Sequence, residues 1–270
     1  MTGSATGESE PQGEEPAVRE ARHGAVCLLT LNAPARRNAL TGPLREALHD
    51  RLAAAMAAPE VRAIVLTGAG GTFCAGGDIA AMAPGAGLEG RARVERLQRI
   101  AHLLIGGPKP VFAAVEGHAA GAGLGLAAAC DVVVTASDAQ FTSAFARVGL
   151  MPDMAALWTL PWRIGLGATR RLVLCGETLS GSEAVRIGLA EYETPPGGAL
   201  AAALARATAV AAGPAQAFSL AKAMMARHPL ALDAFLRSEA DGQGLLFTSA
   251  DFAEGRAAFL EKRPPAFSAD

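Results

Sequence analysis

Aromatic residues are scarce in this chain, with one tyrosine, two tryptophans and ten phenylalanines among 270 residues. There is no long basic block and no interleaving of basic with aromatic side chains, and the formal net charge is only −2. Both the electrostatic footprint and the stacking platform of a nucleic-acid surface are therefore missing, and no nucleic-acid partner is expected. Cysteine is sparse as well. Cys27, Cys74, Cys130 and Cys175 stand far apart without ligand spacing, which excludes a disulfide framework and gives no metal site. Four reduced thiols packed inside a cytoplasmic protein is the expectation. The opening MTGSATGESEPQGEEPAVRE lacks the basic-then-apolar layout of a secretory signal and the arginines of a transit peptide. It is acidic and rich in Gly, Ser and Pro, so residues 1–17 read as a disordered tail. Long apolar runs are few. The one from Gly117 to Val134 raises the question of a membrane span, but its glycines and alanines, with His118 and Asp131 near its ends, fit a buried helix leading into a strand. No membrane contact is expected.

Glycine and small apolar residues are what the chain has in quantity: 31 glycines, and 51% of residues hydrophobic. That suits one large core with an accessory region. Two glycine-rich stretches organise it. EVRAIVLTGAG (Glu60 to Gly70) reads as a buried strand and runs into GTFCAGGDIA, where small residues at Ala75, Gly76 and Gly77 let a ligand lie against bare backbone before Asp78 and Ile79. AAVEGHAAGAGLGLAAACDVVVTA repeats the logic, with Gly117, Gly121, Gly123 and Gly125 leading into a helix. Two strand-to-helix turns of this kind can each aim one amide at a single oxygen.

FCAGGDI followed some forty residues later by VEGHAAGAGLGLAAACD resembles the enoyl-CoA hydratase/isomerase (crotonase) family. The resemblance runs along nearly the whole chain beyond residue 17. It implies an α/β fold, a spiral of stacked ββα units over 18–197, followed by a C-terminal helical trimerisation region over 198–270. The alternation of strands with helices argues independently for the α/β class. Ordinary helical spacing is visible at Leu97, Ile100, Leu103 and Leu104, in a segment expected to wall the acyl pocket. DFAEGRAAFLEKRPPAF matches the family's C-terminal signature. The resemblance implies assembly as a homotrimer or a dimer of trimers, an acyl-CoA substrate of which coenzyme A is itself a part, and no permanently bound cofactor.

The resemblance also implies roles. The amides of Ala75 and Ala122 would form the oxyanion hole. Asn38, Ala39 and Leu40 would meet the CoA adenine through backbone groups, with Arg36 and Arg37 as either phosphate contacts or solvated loop cations. Phe259 and Lys262 would reach CoA from a neighbouring subunit. The two glutamates with which family hydratases move protons fall here on Gly125 and Phe145, neither of which transfers a proton, so ordinary hydration is not expected. One carboxylate remains, because LMPD places Asp153 where several family isomerases carry an acidic base. Asp153 is thus the candidate base, with capping of a helix starting at Met154 as the alternative. Burial beside Phe145, Met151 and Met154 would raise its pKa. Asp78 is read as a helix cap, His118 as a hydrogen-bonded core histidine, Glu116 and Asp131 as framework residues, and Trp158 and Trp162 as lining the pocket or a subunit contact. The activity expected is an enoyl-CoA isomerase-type proton shuttle. The alternatives are a hydratase or other family chemistry using another carboxylate, and a CoA-ester binding protein that has lost its chemistry.

Overall fold

The computed structural model describes residues 15–82, 87–227 and 231–268. Most of the expected tail, residues 1–14, and residues 83–86 lie outside the described residues. Residues 15–17 are tied down by Asn32. Asn32 donates through Nδ2 to the Glu15 carboxylate at 3.0 Å and to the Pro16 carbonyl, and through its amide to the Ala17 carbonyl at 2.8 Å.

In chain order, β1 (Val18–His23) turns into β2 (Val26–Leu31), followed by α1 (Gly42–Ala57), β3 (Ala63–Gly68), α2 (Gly87–Gly106), β4 (Val111–Val115) and the short β5 (His118–Ala120). Then come α3 (Ala122–Ala128), β6 (Val132–Ala136), β7 (Gln140–Thr142), α4 (Ala156–Leu174), β8 (Thr178–Ser180), α5 (Gly181–Ile187) and β9 (Tyr192–Thr194). Helices α6 (Ala199–Ala211), α7 (Ala215–Met225), α8 (Leu232–Leu246) and α9 (Ala250–Glu261) complete the chain. The larger sheet has the order β1-β2-β3-β4-β6-β9, parallel except for the β1–β2 pair. A second sheet pairs β5 with β7 in parallel and β7 with β8 antiparallel.

The central strands β2, β3 and β4 are buried on both faces, which is why they read as unbroken apolar runs rather than alternating ones. One face meets α1, α2 and the second sheet. The other is covered by α6, whose alanines 199, 203, 207 and 211 repeat every fourth residue and pack on Val26, Val65, Phe112 and Val134. Side chains this small let the helix approach the sheet closely. Helix α6 therefore belongs to the core packing although it lies beyond residue 197.

Framework residues take the places foreseen for them. Both Glu116 carboxylate oxygens accept from the amides of Gly197 and Ala199, at 3.0 and 2.9 Å, closing the start of α6. Asp131 accepts from Val111 N at 2.7 Å and pairs with the buried Lys222 at 2.5 Å. Helix α1 starts on Thr41, whose hydroxyl accepts from Leu44 N. Three cysteines are buried, but Cys175 is exposed, at the C-terminal end of α4, so it is not the packing residue expected. Among the described residues no helix is long and apolar enough to cross a membrane, and the tract 117–134 holds the short β5, then the buried α3 leading into β6.

Candidate active site

The two glycine turns meet. The strand-like segment after β3 is tied to β5 by a bridge between Cys74 and Ala119, and to the turn before α1 by a bridge between Leu40 and Gly77. Contact at Gly76 is so close that a Cβ there would lie 2.5 Å from the Ala120 carbonyl oxygen and 3.2 Å from the Ala122 amide nitrogen. Its φ of +94° also needs glycine. Gly123 is equally constrained, its Cβ position falling 2.2 Å from the Cys74 carbonyl oxygen.

Most amides in the first turn are engaged. Phe73 N donates to Glu116 O at 2.8 Å, Cys74 N to His118 O at 2.8 Å, and Gly76 N to the Cys74 sulfur at 3.4 Å. Ala75, expected as the first oxyanion donor, is not available: its amide donates to the Arg37 carbonyl at 2.9 Å. Gly77 N makes no hydrogen bond among the described residues. In the second turn Gly121 N donates to Thr142 O at 2.9 Å, whereas the amide of Ala122, first residue of α3, is uncommitted, as helix-start amides are. The uncommitted pair across the touching turns is thus Gly77 and Ala122.

Asp153 faces a cleft of about 770 Å³ that it shares with Arg45, Asp78, Met82, Arg93 and Leu150. The residue is half-buried, with Oδ1 wholly buried and unpartnered among the described residues. Burial pushes its carboxyl above the ordinary aspartate range, against the pull of Arg93, its own backbone amide and Arg45. It caps nothing: α4 begins at Ala156 without a side-chain cap, and Met154 and Ala155 stand at φ values of 52° and 58°. Two consecutive left-handed non-glycine residues form an unusual turn. The space this turn fills is the space a side chain at 125 would need. A Cβ on Gly125 would fall 2.8 Å from Met154 Cβ, 3.0 Å from the Met154 carbonyl and 3.1 Å from that of Asp153. Arg163 in α4 helps fix this junction, donating through Nε to Ala128 O at 2.9 Å, through Nη2 to Cys130 O, and pairing with Glu191 at 2.6 Å. Phe145 and Met154 are buried, but Met151 is 72% exposed and takes no part in burying Asp153.

The other expected residues are placed as follows. The Asn38 side chain is part of the scaffold, accepting from Ala33 N and donating to the carbonyls of Ala69 and Thr72 at 2.9 and 2.6 Å. The amides of Asn38, Ala39 and Leu40 are all engaged, with the carbonyls of Ala33, Arg36 and Gly76. Asp78 makes no capping hydrogen bond and instead pairs with Arg36 at 3.4 Å, while Arg37 is exposed. Ile79 is half exposed, and Phe145 brings its ring to 4.0 Å from the Gly121 Cβ position. His118 is half-buried, in β5, where its carbonyl receives Cys74 N; no hydrogen bond of its ring is recorded among the described residues. Trp158 and Trp162 are exposed on α4. Phe259 and Lys262 lie on or just after α9; Phe259 lines a second cleft that shares no residue with the first. Among the described residues, no cluster of His, Cys, Asp or Glu is fit to hold a metal.

Arg45 and Arg93 escaped the sequence reading, although a signal was there. Arg93 is in phase with Leu97, Ile100 and Leu104, and Arg45 with Leu48 and Leu52, so each arginine occupies an apolar-stripe position on its helix.

Fold and cleft together define a two-sheet α/β protein in which two glycine turns, each with an uncommitted amide, meet, and in which the half-buried Asp153 shares a cleft with Arg93, whose Nη2 lies 3.0 Å from the Gly77 Cβ position. The chain belongs to the enoyl-CoA hydratase/isomerase family, whose profile matches residues 21–270, and its fold is the crotonase type. It is 42% identical over 245 residues to a protein of Rhodobacter capsulatus named "probable enoyl-CoA hydratase", covering 90% of this chain and 94% of that one. It is 36% identical to the Escherichia coli 1,2-epoxyphenylacetyl-CoA isomerase, over 90% of this chain and 95% of the relative. A solved enoyl-CoA hydratase from a Polaromonas species superposes with a TM-score of 0.87 at 35% identity, over 93% of this chain and 99% of that one.

Proposed function

We propose that the protein is an acyl-CoA isomerase, shifting the double bond of a 3-enoyl-CoA to the 2-position with Asp153 as the base. The observation that carries this reading is the Asp153 carboxylate in the cleft, its Oδ1 buried without a partner among the described residues, next to a turn whose backbone fills the space a side chain at position 125 would need. The thioester oxygen accepts from Gly77 N and Ala122 N, which stabilise the enolate as the proton leaves C2. The dienolate spreads its charge to C4. Asp153, now protonated, returns the proton there, and no second acid is needed. A carboxyl raised by burial is a stronger base than an ordinary aspartate, and this favours the abstraction step. Similarity to a relative named 1,2-epoxyphenylacetyl-CoA isomerase supports the choice, and neither Gly125 nor Phe145 of this chain can transfer a proton.

Purified protein is offered 3-hexenoyl-CoA and crotonyl-CoA in parallel. Conversion of the first to 2-hexenoyl-CoA is expected, with crotonyl-CoA left almost unhydrated, because each missing acid or base typically costs about a hundred- to ten-thousand-fold. Efficient hydration would overturn the reading. We further propose that three copies assemble, with α8 and α9 at the contact.

A further inference from the structure

The geometry points to a substrate whose acyl chain carries a carboxylate, received by Arg93 with Arg45 behind it. This rests on the acyl-CoA reading above and narrows it to a substrate class. Arg93 lies on the buried stripe of α2, yet makes no hydrogen bond or ion pair among the described residues. Its Nη2 stands 3.0 Å from the Cβ position of Gly77, so the guanidinium lies directly beside the proposed oxyanion hole. Arg45, on the facing stripe of α1, is buried; its Nη1 donates to Leu40 O at 2.8 Å, and its Nε is buried without a partner. Arg96 completes the group at the rim of the same cleft.

Among the described residues, no acid forms an ion pair with Arg93 or Arg45. Asp78 is held by Arg36, and Glu46 sits outside between Arg96 and Arg99, at 3.8 and 4.0 Å. Glu89 lines the cleft from an exposed position and pairs with none of the three arginines. Asp153 lies in the same cleft and feels the Arg93 and Arg45 charges, but forms no ion pair with either. Burial and the nearby Arg93 and Arg96 charges push the Arg45 guanidinium below its ordinary range, against the opposing pull of Glu46 and Asp78. Among the described residues the rest of the wall is apolar, with Ala81, Met82, Val94 and Leu150 as its side chains. A purely hydrocarbon acyl chain would leave a half-buried guanidinium unpaired against it. A carboxylate would accept from that guanidinium through two oxygens, the geometry in which arginine binds anions best.

Dissociation constants are measured by calorimetry for succinyl-, glutaryl- and adipyl-CoA against butyryl-, valeryl- and hexanoyl-CoA, with free CoA as reference. The expected result is that at least one diacid thioester binds ten-fold or more tightly than the neutral thioester of equal carbon number. Arg93→Gln, which removes no partnered group and should fold normally, should abolish that preference and leave neutral-thioester and CoA binding unchanged. Arg93→Lys should keep part of it. Equal binding of diacid and neutral thioesters overturns the inference while leaving the acyl-CoA reading intact. A loss in Arg93→Gln shared equally by free CoA would assign the arginine to the CoA phosphates and also overturn it. Failure of every thioester to bind would remove both.

Discussion

At Asp153 burial opposes ionisation, and the sign of that opposition fixes how stability and activity should vary with pH. The unfolded chain ionises at an ordinary aspartate pKa of about 4, while the folded carboxyl holds its proton to higher pH. The stabilisation tied to this proton is full below the unfolded value and is lost as pH rises through the folded one. Thermal melts of Asp153→Asn should therefore match the parent near pH 4 and exceed it at pH 7 to 8. An Asn variant less stable than the parent at neutral pH would show that the carboxylate is favourably paired. For activity, kcat/KM should rise with pH through an apparent pKa above that of a free aspartate, as the base loses its proton. The carboxylate itself was legible from LMPD. Its surroundings were not, because the left-handed pair Met154 and Ala155 carries no glycine signal, and the expected helix start at Met154 is really at Ala156. The Ala75 amide shows the same limit: sequence locates a glycine turn, but which amide is free depends on a long-range acceptor, the Arg37 carbonyl.

Among the elements, those with strong apolar patterning were readable in place, such as β3 and the α2 stripe. Strand β1 was not foreseen, since VREARH is exposed at all but Val18 and shows little of the alternation expected of a half-buried strand. It is ordered by pairing with β2, which a local reading does not see. The joint between α3 and the turn before α4 gives a sharp prediction. Gly125→Glu, which restores a hydratase-like carboxylate, should gain no hydration activity and should lose stability, because its Cβ meets Met154 backbone at 3.0 Å. A folded variant with substantial crotonyl-CoA hydration would mean the turn yields easily. Gly76→Ala should be worse still, combining a φ of +94° with a 2.5 Å approach to Ala120 O. A loss of about 2 kcal/mol or more is expected in chemical denaturation.

The whole molecule leaves apolar surface uncovered at its C-terminal end. Phe247, Phe259 and Leu260 are exposed on or beside α8 and α9, and both carboxylate oxygens of Asp251 are buried without partners among the described residues. Patches of this kind on a single chain mark contact with another. Light scattering at micromolar concentration should give a mass near three or six times 27.4 kDa; a stable monomer would contradict the assembly. The helical character of this end was visible in the sequence, but the packing of α6 on the sheet, and hence where the core stops, depends on alanines whose small size says nothing locally about their neighbour. The central claim concerns chemistry, and comparison of Asp153→Asn with the parent tests it most directly. Turnover of 3-hexenoyl-CoA to 2-hexenoyl-CoA should fall by about two or more orders of magnitude in the variant, as for loss of a general base, with hexanoyl-CoA binding retained. Undiminished turnover in the Asn variant would show that Asp153 is not the base.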